Sequence, residues 1–235
     1  TLVYAQPVFT PLRAVSSRRV QSMYLEDYEK SGGLSIIRDG MTSLYMSPES
    51  FDLLLQKQGY SGDAFRWRST SFKNLQKAVD GSLCNGLEIR EIISMEWFMR
   101  LYGDEDFQLP GEALFDVGLI TVDKESLVSI LEGYFHYIQM YPNLHVRFCE
   151  NLDPMLRDIE WQLKDNSHVI IKRKKDELQP LLYSQQPVFV YAIEQYYESL
   201  WREMLVRGRE RYSPQPLHVL ENAIGLLKAK IKNGE

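Results

Sequence analysis

Residues 123–149 read DKESLVSILEGYFHYIQMYPNLHVRFC, and this stretch decides the fold. Asp123 is a good N-cap. Leu127, Ile130, Leu131, Tyr134, Phe135 and Ile138 recur at the three-and-four spacing of a helix with one buried face. Tyr141-Pro142-Asn143 ends the helix, and the period then drops to two. Leu144, Val146 and Phe148 alternate with His145, Arg147 and Cys149, as in a strand. A long helix feeding a strand is the repeating unit of an α/β sheet.

Upstream the same grammar recurs. Phe115 to Val122 reads as a strand, and so does Leu87 to Ile93, preceded by a helical stripe of Phe72, Leu75, Val79 and Leu83 that closes at Asn85-Gly86. Ser47-Pro48-Glu49 is an N-cap, a first-turn proline and an acid on the helix dipole, followed by Phe51, Leu54 and Leu55. Leu34 to Ile37 and Met41 to Met46 flank Asp39-Gly40, a hairpin dipeptide. Leu12 to Lys30 is helical in pattern, with Val20, Met23, Tyr24 and Tyr28 a turn apart, and stops at Ser31-Gly32-Gly33. Residues 1–11 form an extended lead-in, 62–70 read as polar and turn-rich, and 103–111 as a loop.

Downstream, 151–164 reads as a short helix from Pro154, and Asp165-Asn166 as a turn before a strand from His168 to Lys172. Pro180 to Tyr183 is short and extended. Pro187 to Val206 is a long helix burying Phe189, Ile193, Tyr196, Tyr197, Leu200 and Trp201. The stripe Leu217, Leu220, Ile224, Leu227 and Ile231 makes 216–232 a C-terminal helix that caps the domain or packs on a second copy. The alternation predicts one α/β domain over 1–235, with a mixed, mostly parallel sheet flanked by helices.

Composition narrows the role. With 44% hydrophobic and 25% charged residues the chain is an ordinary globular protein, which excludes a disordered or disulfide-dense class. The longest apolar run, Val188 to Ile193, is far short of a membrane span. Acids exceed bases, 32 against 27, and a net charge of -5 argues against nucleic-acid contact by this chain. Cys84 and Cys149 stand in no metal or redox spacing, so reduced thiols and a cytoplasmic setting are expected.

Motifs of known chemistry are missing: no phosphate loop, no dinucleotide fingerprint and no nucleophile elbow. His136, His145, His168 and His218 do not pair with each other or with cysteines at ligand spacing, so neither metal nor cofactor is expected. Glu88, Glu91 and Glu96 around one strand read as solvated edge charge, acids 104–106 as a surface loop, and Lys172-Arg173-Lys174-Lys175 as a solvated turn. Trp97, Phe98, Trp161, Tyr183, Tyr191 and Tyr197 come from segments expected to converge at the sheet's end as an aromatic pocket wall.

From Asn143 to Leu205 the order of strand, turn, strand with His168 and Lys172, short extended piece and long helix ending Leu200-Trp201 resembles a half-domain of the phospholipase D-like superfamily. In that family a strand carries His-x-Lys, with an Asp five residues after the Lys. Anchored on His168, the Lys slot holds Ile170 and the Asp slot Lys175; anchored on Lys172, the Asp slot holds Glu177 and the His slot Ile170. An isoleucine can neither attack phosphorus nor bind phosphate. The resemblance therefore implies a non-catalytic effector domain, like those of bacterial transcription regulators whose helix-turn-helix part lies outside such a chain. It would bind a small-molecule or anionic ligand near His168, Lys172, Trp161, Trp97 and Tyr183, and would work as a homodimer in the cytoplasm, off the membrane. A diverged phosphodiesterase using His168 with Lys172 and an interaction scaffold docking through its last helix are the alternatives.

Overall fold

The computed structural model describes residues 10–11, 22–23, 25–38, 40–102, 107–110, 119–152, 156, 159–165, 167–173, 182–204 and 213–234. The strands are β1 (Thr10–Pro11), β2 (Gly32–Arg38), β3 (Leu87–Ser94), β4 (Phe107–Pro110), β5 (Leu119–Val122), β6 (Leu144–Cys149), β7 (Ile159–Lys164), β8 (His168–Arg173) and β9 (Leu182–Ser184). The helices are α1 (Pro48–Lys57), α2 (Gly62–Cys84), α3 (Met95–Met99), α4 (Lys124–Met140), α5 (Pro187–Glu203) and α6 (Pro216–Asn233). Seven strands form one sheet in the order β1-β9-β8-β7-β2-β3-β6, with β1 only two residues long, and β4 and β5 pair apart from it.

The fold is mixed α/β, as the alternation implied. Its parallel pairs are β2 with β3 and β3 with β6; the other four pairings of the sheet are antiparallel, so the parallel share is smaller than expected. The reason lies in 151–164. There Leu156, the one described residue between 153 and 158, is helical, but from Ile159 the chain forms the strand β7, which the expected helix did not include, and a turn joins it to β8. Asp165 takes a left-handed φ of 40° in that turn, and its carboxylate accepts the Gly33 N–H at 2.5 Å. Gly32 beside it has φ 101°, and a Cβ there would overlap the same carboxylate.

Register sorts the side chains onto two faces. Leu34, Ile36, Ile89, Ile93, Leu144, Val146, Phe148 and Ile170 fill one face under α1, α2, α4 and α6 and form the main core. Ile37, Ile92, Cys149, Leu163 and Val169 fill the other, beneath α5 with its Val190, Tyr197, Leu200 and Trp201. The stripe of α6 packs on α4 in the same chain through Leu220, Ala223 and Leu227, so the helix caps the core, while Leu217, Ile224 and Ile231 are half-buried.

Three further expectations change. Met41 to Met46 is no hairpin strand: Thr42 caps a 3-10 turn, Ser43–Tyr45, and Leu44, Tyr45 and Met46 are all buried. Residues 62–70 belong to α2, whose first turns stand in solvent and so look polar. Phe107–Pro110, inside the expected loop, pairs with β5. The expected lead-in over 1–9, most of the helix over 12–30, Phe115 to Gly118, and Lys174-Lys175 lie outside the described residues.

Candidate functional site

On the helix-rich face, β7 and β8 turn polar residues inward. Lys164 pairs with His168, Gln162 with Ile170 and Glu160 with Lys172, so one face of the hairpin carries Glu160, Gln162, Lys164 and His168. Glu160, Gln162 and Lys164 are buried, as are Arg38 on β2 and Glu91 on β3. Burying charge is unfavourable unless partners compensate. Here they do, in two linked clusters.

The first centres on Glu91, whose exposure is 0%. One carboxylate oxygen accepts the Tyr45 hydroxyl and the other the Tyr134 hydroxyl, each at 3.0 Å, and an Arg38 guanidinium nitrogen lies 3.5 Å away. Arg38 also donates to Tyr28 Oη at 2.8 Å and sits 4.0 Å from Glu160. The Thr42 N–H donates to the Tyr134 hydroxyl. Burial first, and the Glu91 charge second, hold the Tyr45 and Tyr134 phenols well above the ordinary tyrosine range.

The second centres on Asp27, 1% exposed, in the helical turn before β2. Gln162 Nε2 donates to Asp27 Oδ2 at 2.7 Å, and His168 Nε2 lies 3.0 Å from the same oxygen. Ser167 Oγ is 2.9 Å from His168 Nδ1 and 2.9 Å from the Lys164 carbonyl. Lys164 Nζ donates to the carbonyls of Asp27 and Lys30, at 3.2 and 2.9 Å. Burial pulls the Lys164 ammonium below its usual range against the pull of Asp165 and Asp27. The Tyr183 ring packs 5.2 Å from His168, and its phenol is raised by burial and by Asp27. With both ring nitrogens of His168 engaged, the imidazole positions Asp27 and offers no free lone pair to a substrate.

The five residues expected to share a site are not all brought together. His168 and Tyr183 are neighbours. Lys172 shares their face of the sheet by register, and only its place on β8 is described. Trp161 points to the opposite face, where its ring lies 5.5 Å from Tyr196. Trp97 is core, with Phe98 and Phe107 at its edges and Gly40 against its indole. The expected convergence of six aromatics is corrected with them: on α5, Tyr197 faces the sheet beside Ile37 and Ile92, while Tyr191 lies on the exposed side of the same helix. Glu91, expected as solvated edge charge, is instead the most enclosed acid described, while Glu88 is exposed. Asp27, Arg38, Glu160, Gln162 and Lys164 were not singled out by the sequence. The parity of Glu91 with Leu87, Ile89 and Ile93 was the available signal.

Among the described residues, no three His, Cys, Asp or Glu side chains are grouped as metal ligands, and no helix is long and apolar enough to cross a membrane.

No family model and no curated protein matches the chain. Among solved structures it is similar to TrmBL2, described as an archaeal chromatin protein that shows a novel mode of DNA binding, with 8% identity and a TM-score of 0.41. The match covers 86% of this chain and 54% of that one, so the chain spans about half the length of TrmBL2.

Proposed function

We propose that the chain is a non-catalytic effector domain that senses a small anionic ligand. In this reading it belongs to a cytoplasmic transcription regulator of the bacterial type suggested by the phospholipase D-like resemblance over Asn143 to Leu205, with the DNA-binding part elsewhere. The observation that carries the non-catalytic reading is the state of His168. Attack on phosphorus needs an imidazole nitrogen in line with the phosphate. Here Nε2 is held by a buried carboxylate and Nδ1 by Ser167. An acid already in place would also repel the phosphodiester. Cys84 and Cys149 are free, which suits a reducing compartment.

The ligand region is confined to the His168 and Tyr183 end of the hairpin, with Lys172 on the same face. Thermal-shift screening of metabolite anions tests the reading. Stabilisation by a subset of anions, lost in His168→Ala, is expected. Turnover of a generic phosphodiester by the wild-type chain that disappears in His168→Ala would replace this reading with the diverged phosphodiesterase.

A further inference from the structure

Asp27 occupies the place an anionic ligand would take. Its carboxylate receives Gln162 Nε2 and His168 Nε2 from two adjacent strands, beside the Lys164 ammonium and the Tyr183 ring. Convergent donors on a rigid hairpin, aimed at one carboxylate, are the recognition geometry of a carboxylate or phosphate site. The fit is incomplete: both bonds go to Oδ2, and among the described residues none donates to Oδ1. An incoming carboxylate with free orientation can use two oxygens where Asp27 uses one.

We propose that Asp27 is a resident plug in a carboxylate-binding cradle, and that a small carboxylate ligand binds by replacing it through rotation of the Asp27 side chain. The proposal rests on the sensor reading and names its ligand class. Leu25 and Tyr28 stay buried in the core during such an exchange. The coupling to the rest of the chain runs through Lys164, whose ammonium bonds the carbonyls at both ends of the segment from Asp27 to Lys30. Ligand in the cradle draws on the same ammonium, so those backbone bonds loosen and the turn leading into β2 gains freedom. The plug also sets the working range: apparent affinity falls in proportion to the fraction of molecules whose cradle is open.

The test uses acetate as the probe, with sodium chloride at equal ionic strength as control, on the full chain. Asp27→Asn keeps the shape but loses the charge that holds the plug. It is expected to bind acetate at least about tenfold more tightly than wild type, the equivalent of one lost charge-assisted hydrogen bond. Adding His168→Ala to Asp27→Asn removes that gain. Hydrogen exchange over residues 25–30 speeds up when acetate binds. Equal acetate affinity in wild type and Asp27→Asn, or a gain that survives His168→Ala, overturns the proposal. If Asp27→Asn misfolds, Asp27→Glu serves: its longer arm strains the plug and must also raise acetate affinity. A wild-type chain shifted by anions equally with and without His168 removes the plug and leaves a sensor acting elsewhere. Acetate binding that follows the plug rules, in a chain whose wild type answers no metabolite anion, supports the cradle and removes the sensor reading.

Discussion

Replacing Glu91 by alanine strikes the most enclosed charge described in the protein. The side chain is fully buried and receives the Tyr45 and Tyr134 hydroxyls while facing Arg38. Its loss leaves two buried hydroxyls without their acceptor, each costing about 1–3 kcal/mol. It also takes a facing carboxylate from Arg38, and removing one partner of a buried pair costs roughly 3–5 kcal/mol. These terms belong to one network and do not add, so the expected loss is about 4–6 kcal/mol, much of the ~5–15 kcal/mol that holds a typical domain. Urea unfolding followed by far-ultraviolet circular dichroism reads it as a fall in midpoint at constant slope. Glu91→Gln retains an acceptor and is expected to lose about half as much. The double change Glu91→Leu with Arg38→Met removes both charges and should recover most of the deficit, because a well-packed apolar pair often matches a buried ion pair. A Glu91→Ala chain within about 1 kcal/mol of wild type would refute the view that this cluster is sealed and mutually dependent.

Gly133→Ala, although alanine favours a helix by ~1 kcal/mol, is expected to destabilise by about 1–3 kcal/mol because its Cβ would overlap the Tyr45 carbonyl where α4 meets the 3-10 turn. Gly225→Ala in α6, where a Cβ meets nothing, should stabilise by roughly 0.5–1 kcal/mol; thermal melts of the pair check both signs. Burial raises the phenols of Tyr45, Tyr134 and Tyr197, and burial with Asp80 pushes Tyr141 up to about 12. The folded state therefore keeps protons that the unfolded chain releases above about pH 10, so stability falls as pH rises beyond that value. Tyrosinate absorbance should lag in the folded chain and jump on alkaline unfolding; smooth titration of every tyrosine would contradict the burial. At the other extreme, burial opposes ionisation of Asp123, but Lys57 and the Ser126 N–H outweigh it and hold its pKa down. That helix cap contributes stability above the ordinary aspartate value and loses it as acid protonates the group, and Asp123→Ala should flatten the acid limb of a pH–stability curve.

The helices and the parallel strands were legible because their cores are apolar at a regular period. The α4 stripe, the Ser47-Pro48 start of α1 and the alternation of β6 all appear where the residues put them. Reading failed where polar residues face inward. Glu160, Gln162 and Lys164 alternate faithfully, yet polarity on the buried side disguised β7 as a weak helix. The same inversion hid the site. Partners of Glu91 and Asp27 come from segments far apart in the chain, and no local spacing announces a tyrosine hydroxyl arriving from α4 or a carboxylate from the turn before β2. His168 was singled out by the resemblance over Asn143 to Leu205, and Tyr183, Trp161 and Trp97 by aromatic content alone; of these, His168 and Tyr183 lie side by side because their strands are adjacent.

Strand β2 is the line along which two differently wired halves of the sheet are stitched. On one side β3 and β6 run with it and are reached only through long helical crossovers; on the other β7, β8 and β9 form a meander of close neighbours in sequence. Local pairings close small loops and assemble early, whereas parallel pairings must first gather distant chain. The meander is thus expected to acquire amide protection sooner during refolding. Docking of β2 against it then becomes the committing step, at which the two halves become one cooperative unit.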